Sequence, residues 1–165
     1  MKITTLDEET IEWKIPSRIA QGNKRKTSNL HSIAKEIIRR KFPHTSFYEE
    51  VPVPIQKKKK LYLDFYIPSF MLAVEVNGAQ HYKFNSFYHK NKMEFLMSKQ
   101  NDVLKKQWCE LNDIRIISLP YNEQDNWENM IDRYFIIIRL IIIFCPSFNF
   151  FPFWLKDRIG INRIP

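Results

Sequence analysis

The chain has 165 residues, with 26 Lys and Arg against 18 Asp and Glu, a net charge of +8 and a pI near 9.5. That length supports one domain with a real core, and 44% hydrophobic with 27% charged residues excludes an intrinsically disordered chain. The positive balance suits a polyanionic partner, nucleic acid first, and is equally met by a merely soluble basic protein. Cys109 and Cys145 form neither a CxxC pair nor a zinc spacing, and two cysteines make no disulfide framework. The expectation is a reducing, cytoplasmic setting. The N-terminus, MKITTLDEETIEWK, has no apolar signal-peptide core. Richness in Lys, Asn, Ile and Phe suits a phage or a low-GC bacterium, hence a bacterial cell or a phage-infected host.

Residues 1–27 read as a basic, loosely ordered arm ending in Lys24, Arg25 and Lys26. Ser28 or Asn29 caps a helix to about Lys41, with Leu30, Ile33, Ala34, Ile37 and Ile38 at helical spacing. A short strand follows near Phe47–Val53, then a loop holding Lys57, Lys58, Lys59 and Lys60. LYLDFYI, residues 61–67, alternates as a strand with Asp64 on one face. After a turn at 68–70, MLAVEVN, residues 71–77, reads as a strand covered on both faces. A polar and aromatic loop leads to a helix from about Lys90 to Leu111, whose apolar stripe is Met93, Leu96, Met97, Val103, Leu104 and Leu111. Ile114–Leu119 is a further strand, and a last helix starts at Trp127. The order predicts an α/β fold, a small mixed sheet flanked by helices. The apolar run 134–144 and the aromatic tail after it read as a buried helix and a tail that packs on the body or a second copy. A membrane span is disfavoured because Arg139, Pro146, Asn149 and Pro152 interrupt the stretch.

The chemistry gathers at two acids. If the turn is the two-residue loop Ser69-Phe70, Asp64 and Glu75 face each other on the same side of the hairpin, with Cβ atoms about 5 Å apart. Like charges at that separation are unfavourable unless a cation lies between them, and Glu75 interrupts an apolar strand where a lone carboxylate is costly. Mg²⁺ or Mn²⁺ would satisfy both. The alternative is a Glu75–lysine pair with Asp64 exposed on an edge. Gly78 lets the backbone bend sharply after Glu75, and Gln80 and His81 can orient water, contact a phosphate or carry a proton.

Taken together, LYLDFYIP, LAVEVNGAQHY and NDVLKKQWCELNDIRIISLPY resemble the PD-(D/E)XK nuclease superfamily, nearest to very-short-patch repair endonucleases and phage homing-type endonucleases. The resemblance covers about residues 28–133, leaving residues 1–27 as an arm and 134–165 as an apolar helix and tail. It implies a restriction-endonuclease-like αβββαβ core, metal-dependent cleavage of DNA, and no small-molecule cofactor. It makes Asp64 and Glu75 the metal-binding acids, with the Val76 carbonyl as a further ligand and Glu36 of the first helix as an auxiliary acid. The family's usual lysine, two residues after the Glu, is here Asn77. His81, Gln80 or Lys105 must then replace it. Asp102 matches the family's helix acid, but its spacing sets it opposite the apolar stripe. Lys57–Lys60, Lys24–Lys26 and Tyr82 are the expected nucleic-acid contacts, with Phe84, Phe87 and Tyr88 as stacking aromatics. A double-strand cut would call for a homodimer and a nick only a monomer. The other reading is a catalytically inactive nucleic-acid-binding module of the same fold, such as a RAP-like RNA binder.

Overall fold

The computed structural model describes residues 1–15, 28–82, 84 and 91–144, with side chains of the last helix as far as Ile136. Lys24, Arg25, Lys26, Phe87, Tyr88, Cys145 and the tail after residue 144 lie outside the described residues. The chain forms two compact units, Met1–Gln124 and Asp125–Pro165.

The first unit is mixed α/β. Helix α1, Asn29–Lys41, starts where the Ser28 side chain accepts the His31 amide at 3.2 Å. Its buried residues His31, Ala34, Ile37 and Ile38 recur at helical spacing, and Arg39, Arg40 and Lys41 in its last turn complement the helix dipole. Pro43 follows its C-cap, Phe42. Strands β3 (Tyr48–Gln56), β4 (Lys59–Ile67) and β5 (Leu72–Asn77) form an antiparallel meander. Helix α2, Lys92–Leu111, then returns the chain to β6 (Arg115–Pro120), which lies parallel to β5. The four-stranded order is β3-β4-β5-β6.

Helices cover both faces. His31 of α1 stacks on Phe65 at 4.2 Å, whereas Trp108 and Cys109 of α2 share a core cluster with Tyr66 and Ala73. Phe65 and Tyr66 are neighbours on one strand, so they point to opposite faces. Leu63 and Tyr66 nevertheless share a cluster. An odd spacing on one face means that the alternation switches near Asp64, opposite Glu50, which is held at φ 50.

Of the expected N-terminal arm, residues 1–15 are instead structured. Strands β1 (Lys2–Thr4) and β2 (Thr10–Glu12) form a hairpin. Ile3 and Trp13 belong to the core cluster, and Trp13 Nε1 donates to the Pro52 carbonyl at 3.0 Å. The Asn112 side chain accepts from the Thr4 amide at 2.7 Å and donates to the Thr4 carbonyl at 2.8 Å. The sequence hides this because three-residue strands carry too few positions for an alternation to show.

The stripe expected to seat α2 is on the wrong face. Met93, Leu96, Met97, Val103 and Leu111 are all exposed, and Trp108 and Cys109 are the buried residues of the helix. Leu104 alone of the stripe packs against the core. The inward face therefore carries Asp102 and Lys105, and its polarity disguised it.

In the second unit, α3 runs unbroken from Trp127 to Phe144, across the boundary expected near residue 133. Among the described residues, no helix is long and apolar enough to cross a membrane.

Candidate active site

A row of polar side chains crosses the sheet. Glu75 on β5 pairs with Ser118 on β6. Phe65 pairs with Val74, so Asp64 stands opposite Glu75 one position further along. Glu49↔Phe65 and Val51↔Leu63 bracket Glu50, which stands opposite Asp64. The β4–β5 turn is longer than the expected two residues: a turn of 3₁₀ helix at Pro68–Phe70 leads to Met71 at φ 48. Both loops give the same pairing, so the predicted Asp64–Glu75 opposition is present.

The backbone ladder between β4 and β5 ends at Phe65↔Val74, and the two acids take over. Glu75 Oε1 accepts the Asp64 amide at 3.1 Å, and Asp64 Oδ2 accepts the Val76 amide at 2.7 Å. Each carboxylate fixes the other's strand. That rigidity suits a site in which two side chains must hold one geometry.

Glu75 is only 5% exposed, and its Oε2 accepts a hydrogen bond from the Lys105 ammonium of α2. Burial and then the neighbouring Asp64 charge push the Glu75 carboxyl up to about 7, with Lys105 opposing both. For Lys105, burial pulls the ammonium down; the charge and hydrogen bond of Glu75, with Asp64 and Asp102 behind, outweigh that and raise it. Lys105 is therefore a firmly charged cation beside the two acids.

Beside this pair opens a cleft of about 310 Å³, lined by Glu75, Asn77, His81, Asp102, Lys105 and Ser118, with Tyr82, Lys99 and Lys106 also along it. His81 Nδ1 lies 2.9 Å from Asp102 Oδ2. Such a contact fixes which ring nitrogen faces outward, an orientation used in acid–base sites. At the rim, Lys99 lies 5.8 Å from the ring centroids of both Tyr82 and Phe95, and Tyr82 and Tyr121 stand 5.9 Å apart. A cation beside the exposed Tyr82 ring can meet both phosphates and bases.

A third grouping adjoins Asp64. His31, Glu50 and Asp64 each offer one ligand atom, and these atoms lie within 4.8 Å of one another. His31 is 6% exposed and its Nε2 has no hydrogen-bond partner. Glu49 Oε2 lies 3.4 Å from that nitrogen, outside hydrogen-bond geometry, while Lys35 holds Glu49 Oε1 at 2.6 Å.

The fold thus brings together Asp64, Glu75, Val76, Asn77, His81 and Lys105. Gln80 is not among the cleft's lining residues: its amide folds over Gly78, where a Cβ would collide with it. Gly78 itself has φ −68, so it serves close approach rather than the sharp bend expected of it. Glu36 is exposed on α1 and outside the acid grouping, which takes His31 and Glu50 instead. The expected lysine loop is a tight hairpin turn, with Lys59 and Lys60 already in β4. Lys57 is committed to the N-terminal hairpin, bonding Glu9 at 2.9 Å through Nζ and Asp7 at 3.0 Å through its amide. Lys60 and Asp64 are separated by ~13 Å of strand. Cys109 is buried, and burial, then the Glu75 charge, push its thiol up to about 12, which makes it inert. Sequence reasoning missed His31 and Glu50, although two adjacent acids before the alternating VPVPI mark an irregular strand.

Uncharacterized protein 307L of Invertebrate iridescent virus 6 is 45% identical over 65 residues, 39% of this chain and 33% of that protein. Uncharacterized protein 033L of Invertebrate iridescent virus 3 is 35% identical over 95 residues, 52% and 48% of the two chains. Uncharacterized protein 094L of Frog virus 3 is 34% identical over 68 residues, 41% and 44%. The chain spans from a third to about half the length of these relatives. All three come from animal viruses, whereas composition suggests a phage or a low-GC bacterium. No protein-family profile and no solved structure matches the chain.

Proposed function

We propose that the chain is a metal-dependent endonuclease with a restriction-endonuclease-like core, hydrolysing phosphodiester bonds of DNA. The observation that carries this reading is the Lys105 ammonium bonded to buried Glu75, with Asp64 directly opposite. Asn77 left the site without a cation at the family's usual position, and α2 supplies one.

The donor set fits a hard divalent ion such as Mg²⁺ or Mn²⁺: two carboxylates and the Val76 carbonyl offer oxygen ligands. Although both Glu75 oxygens already accept hydrogen bonds, each keeps a second lone pair. When bound, the ion would polarise the scissile phosphate and lower the pKa of a water. Lys105 holds positive charge where negative charge develops on the phosphoryl oxygens. His81, oriented by Asp102, is placed to move a proton at its outer nitrogen. Lys99 and Lys106 along the cleft hold the flanking phosphates.

Plasmid cleavage with Mg²⁺, Mn²⁺ or EDTA, beside Asp64→Ala and Glu75→Ala, tests the proposal. Metal-dependent nicking or linearisation that vanishes in both variants is expected, and the nick-to-linear ratio reports monomer or dimer action. Intact DNA in every metal, with binding unchanged in both variants, overturns the enzyme and leaves a nucleic-acid-binding module.

A further inference from the structure

We propose that His31, Glu50 and Asp64 form a mixed nitrogen–oxygen cation site that prefers a borderline divalent ion, such as Mn²⁺ or Zn²⁺, over Mg²⁺. It shares Asp64 with the proposed active site but stands whether or not the chain cleaves DNA.

The three candidate ligand atoms lie within 4.8 Å of one another. Ligands around an ion at ~2.1 Å are themselves roughly 3–4 Å apart, so a small closure completes the set. Two features of the arrangement favour a cation. Two carboxylate oxygens approach each other across β3 and β4. A 6% exposed imidazole keeps a nitrogen without a hydrogen bond, against the Phe65 ring at 4.2 Å. A divalent ion relieves the first, and ligation through Nε2 relieves the second. Glu49 stands as an ion-pair neighbour of the nitrogen at 3.4 Å but without hydrogen-bond geometry, and Lys35 engages the same carboxylate. The ligands come from three elements, α1, β3 and β4, all packed in one unit. An imidazole ligand is what separates borderline ions from Mg²⁺ and Ca²⁺, which prefer oxygen.

The test uses metal alone. Mn²⁺ is titrated into the full chain, and ¹⁴N modulation of its electron spin echo reports an imidazole on the ion. The wild-type chain should show that modulation, His31→Gln should lose it, and His81→Gln should keep it. Glu50→Gln, checked for an unchanged thermal melt, should weaken Mn²⁺ about tenfold. Competition should rank Zn²⁺ above Mg²⁺. Absence of ¹⁴N modulation in the wild-type chain, its survival in His31→Gln, or equal Mg²⁺ and Zn²⁺ affinity overturns the site. If His31→Gln does not fold, Glu50→Gln decides: unchanged Mn²⁺ affinity overturns the proposal. Intact modulation with no plasmid cleavage overturns the nuclease and leaves this site standing.

Discussion

The Lys105 ammonium bonds to Glu75 Oε2 across 30 residues of sequence, so the acid and its cation belong to different elements, β5 and α2. Replacing Lys105 by Met should therefore lower cleavage by about 10²–10³-fold while DNA binding, measured by fluorescence anisotropy, changes little. Asn77 lines the same cleft. Adding Asn77→Lys to Lys105→Met should restore part of the rate, and a double variant as inactive as the single one would show that the cation's position matters more than its presence.

Glu75 sets a pH dependence of stability. Its folded-state value, about 7, lies above the ordinary 4.5. The folded chain thus binds this proton more tightly than the unfolded chain does. The stabilisation is complete below the ordinary value and is lost as pH rises through about 7. Urea denaturation in EDTA should show a decline on the order of 1–3 kcal/mol across that window. Glu75→Gln should flatten the slope, and an unchanged slope would place the proton elsewhere.

His81 and Asp102 should act as a unit. His81→Ala is expected to lower cleavage about 10²-fold, and Asp102→Asn less, because the imidazole stays but loses its fixed orientation. Their double variant should be no worse than His81→Ala alone. Additive losses would show that Asp102 works independently of the imidazole.

Trp13 tests whether the N-terminal hairpin is structural. Its ring lies 5.3 Å from Tyr66 and 5.4 Å from Trp108, edge-on to the latter. Trp13→Ala should cost about 3–5 kcal/mol in chemical denaturation. A cost within ~0.5 kcal/mol would mark the hairpin as an appendage.

The hairpin register was legible because residue parity survives an error in loop length: turns of two or four residues pair Asp64 with the same partner. Ser28 as a cap and the α1 stripe were legible for local reasons. What the sequence concealed was where α2 meets the sheet. A 3.6-residue period finds an apolar stripe, but it cannot say that the stripe faces the core. Met93, Leu96, Met97, Val103 and Leu111 are exposed, so the polar inward residues Asp102 and Lys105 looked solvated. His31 and Glu50 were hidden for another reason. His31 comes from a separate helix, and Glu50 sits at a positive φ inside β3 that no alternation pattern announces.

The paired hydrogen bonds between Thr4 and Asn112 have a consequence for synthesis. The two residues are 108 positions apart. Strands β1 and β2 leave the ribosome well before α2 and its C-cap, which carry their partners Trp108 and Asn112. The side of Trp13 that meets Trp108 stays uncovered until α2 emerges, at ~5–20 residues per second. Docking of this hairpin on α2 is thus a late, non-local event that closes the unit, and chains halted before α2 is complete should expose the hairpin to proteases and chaperones.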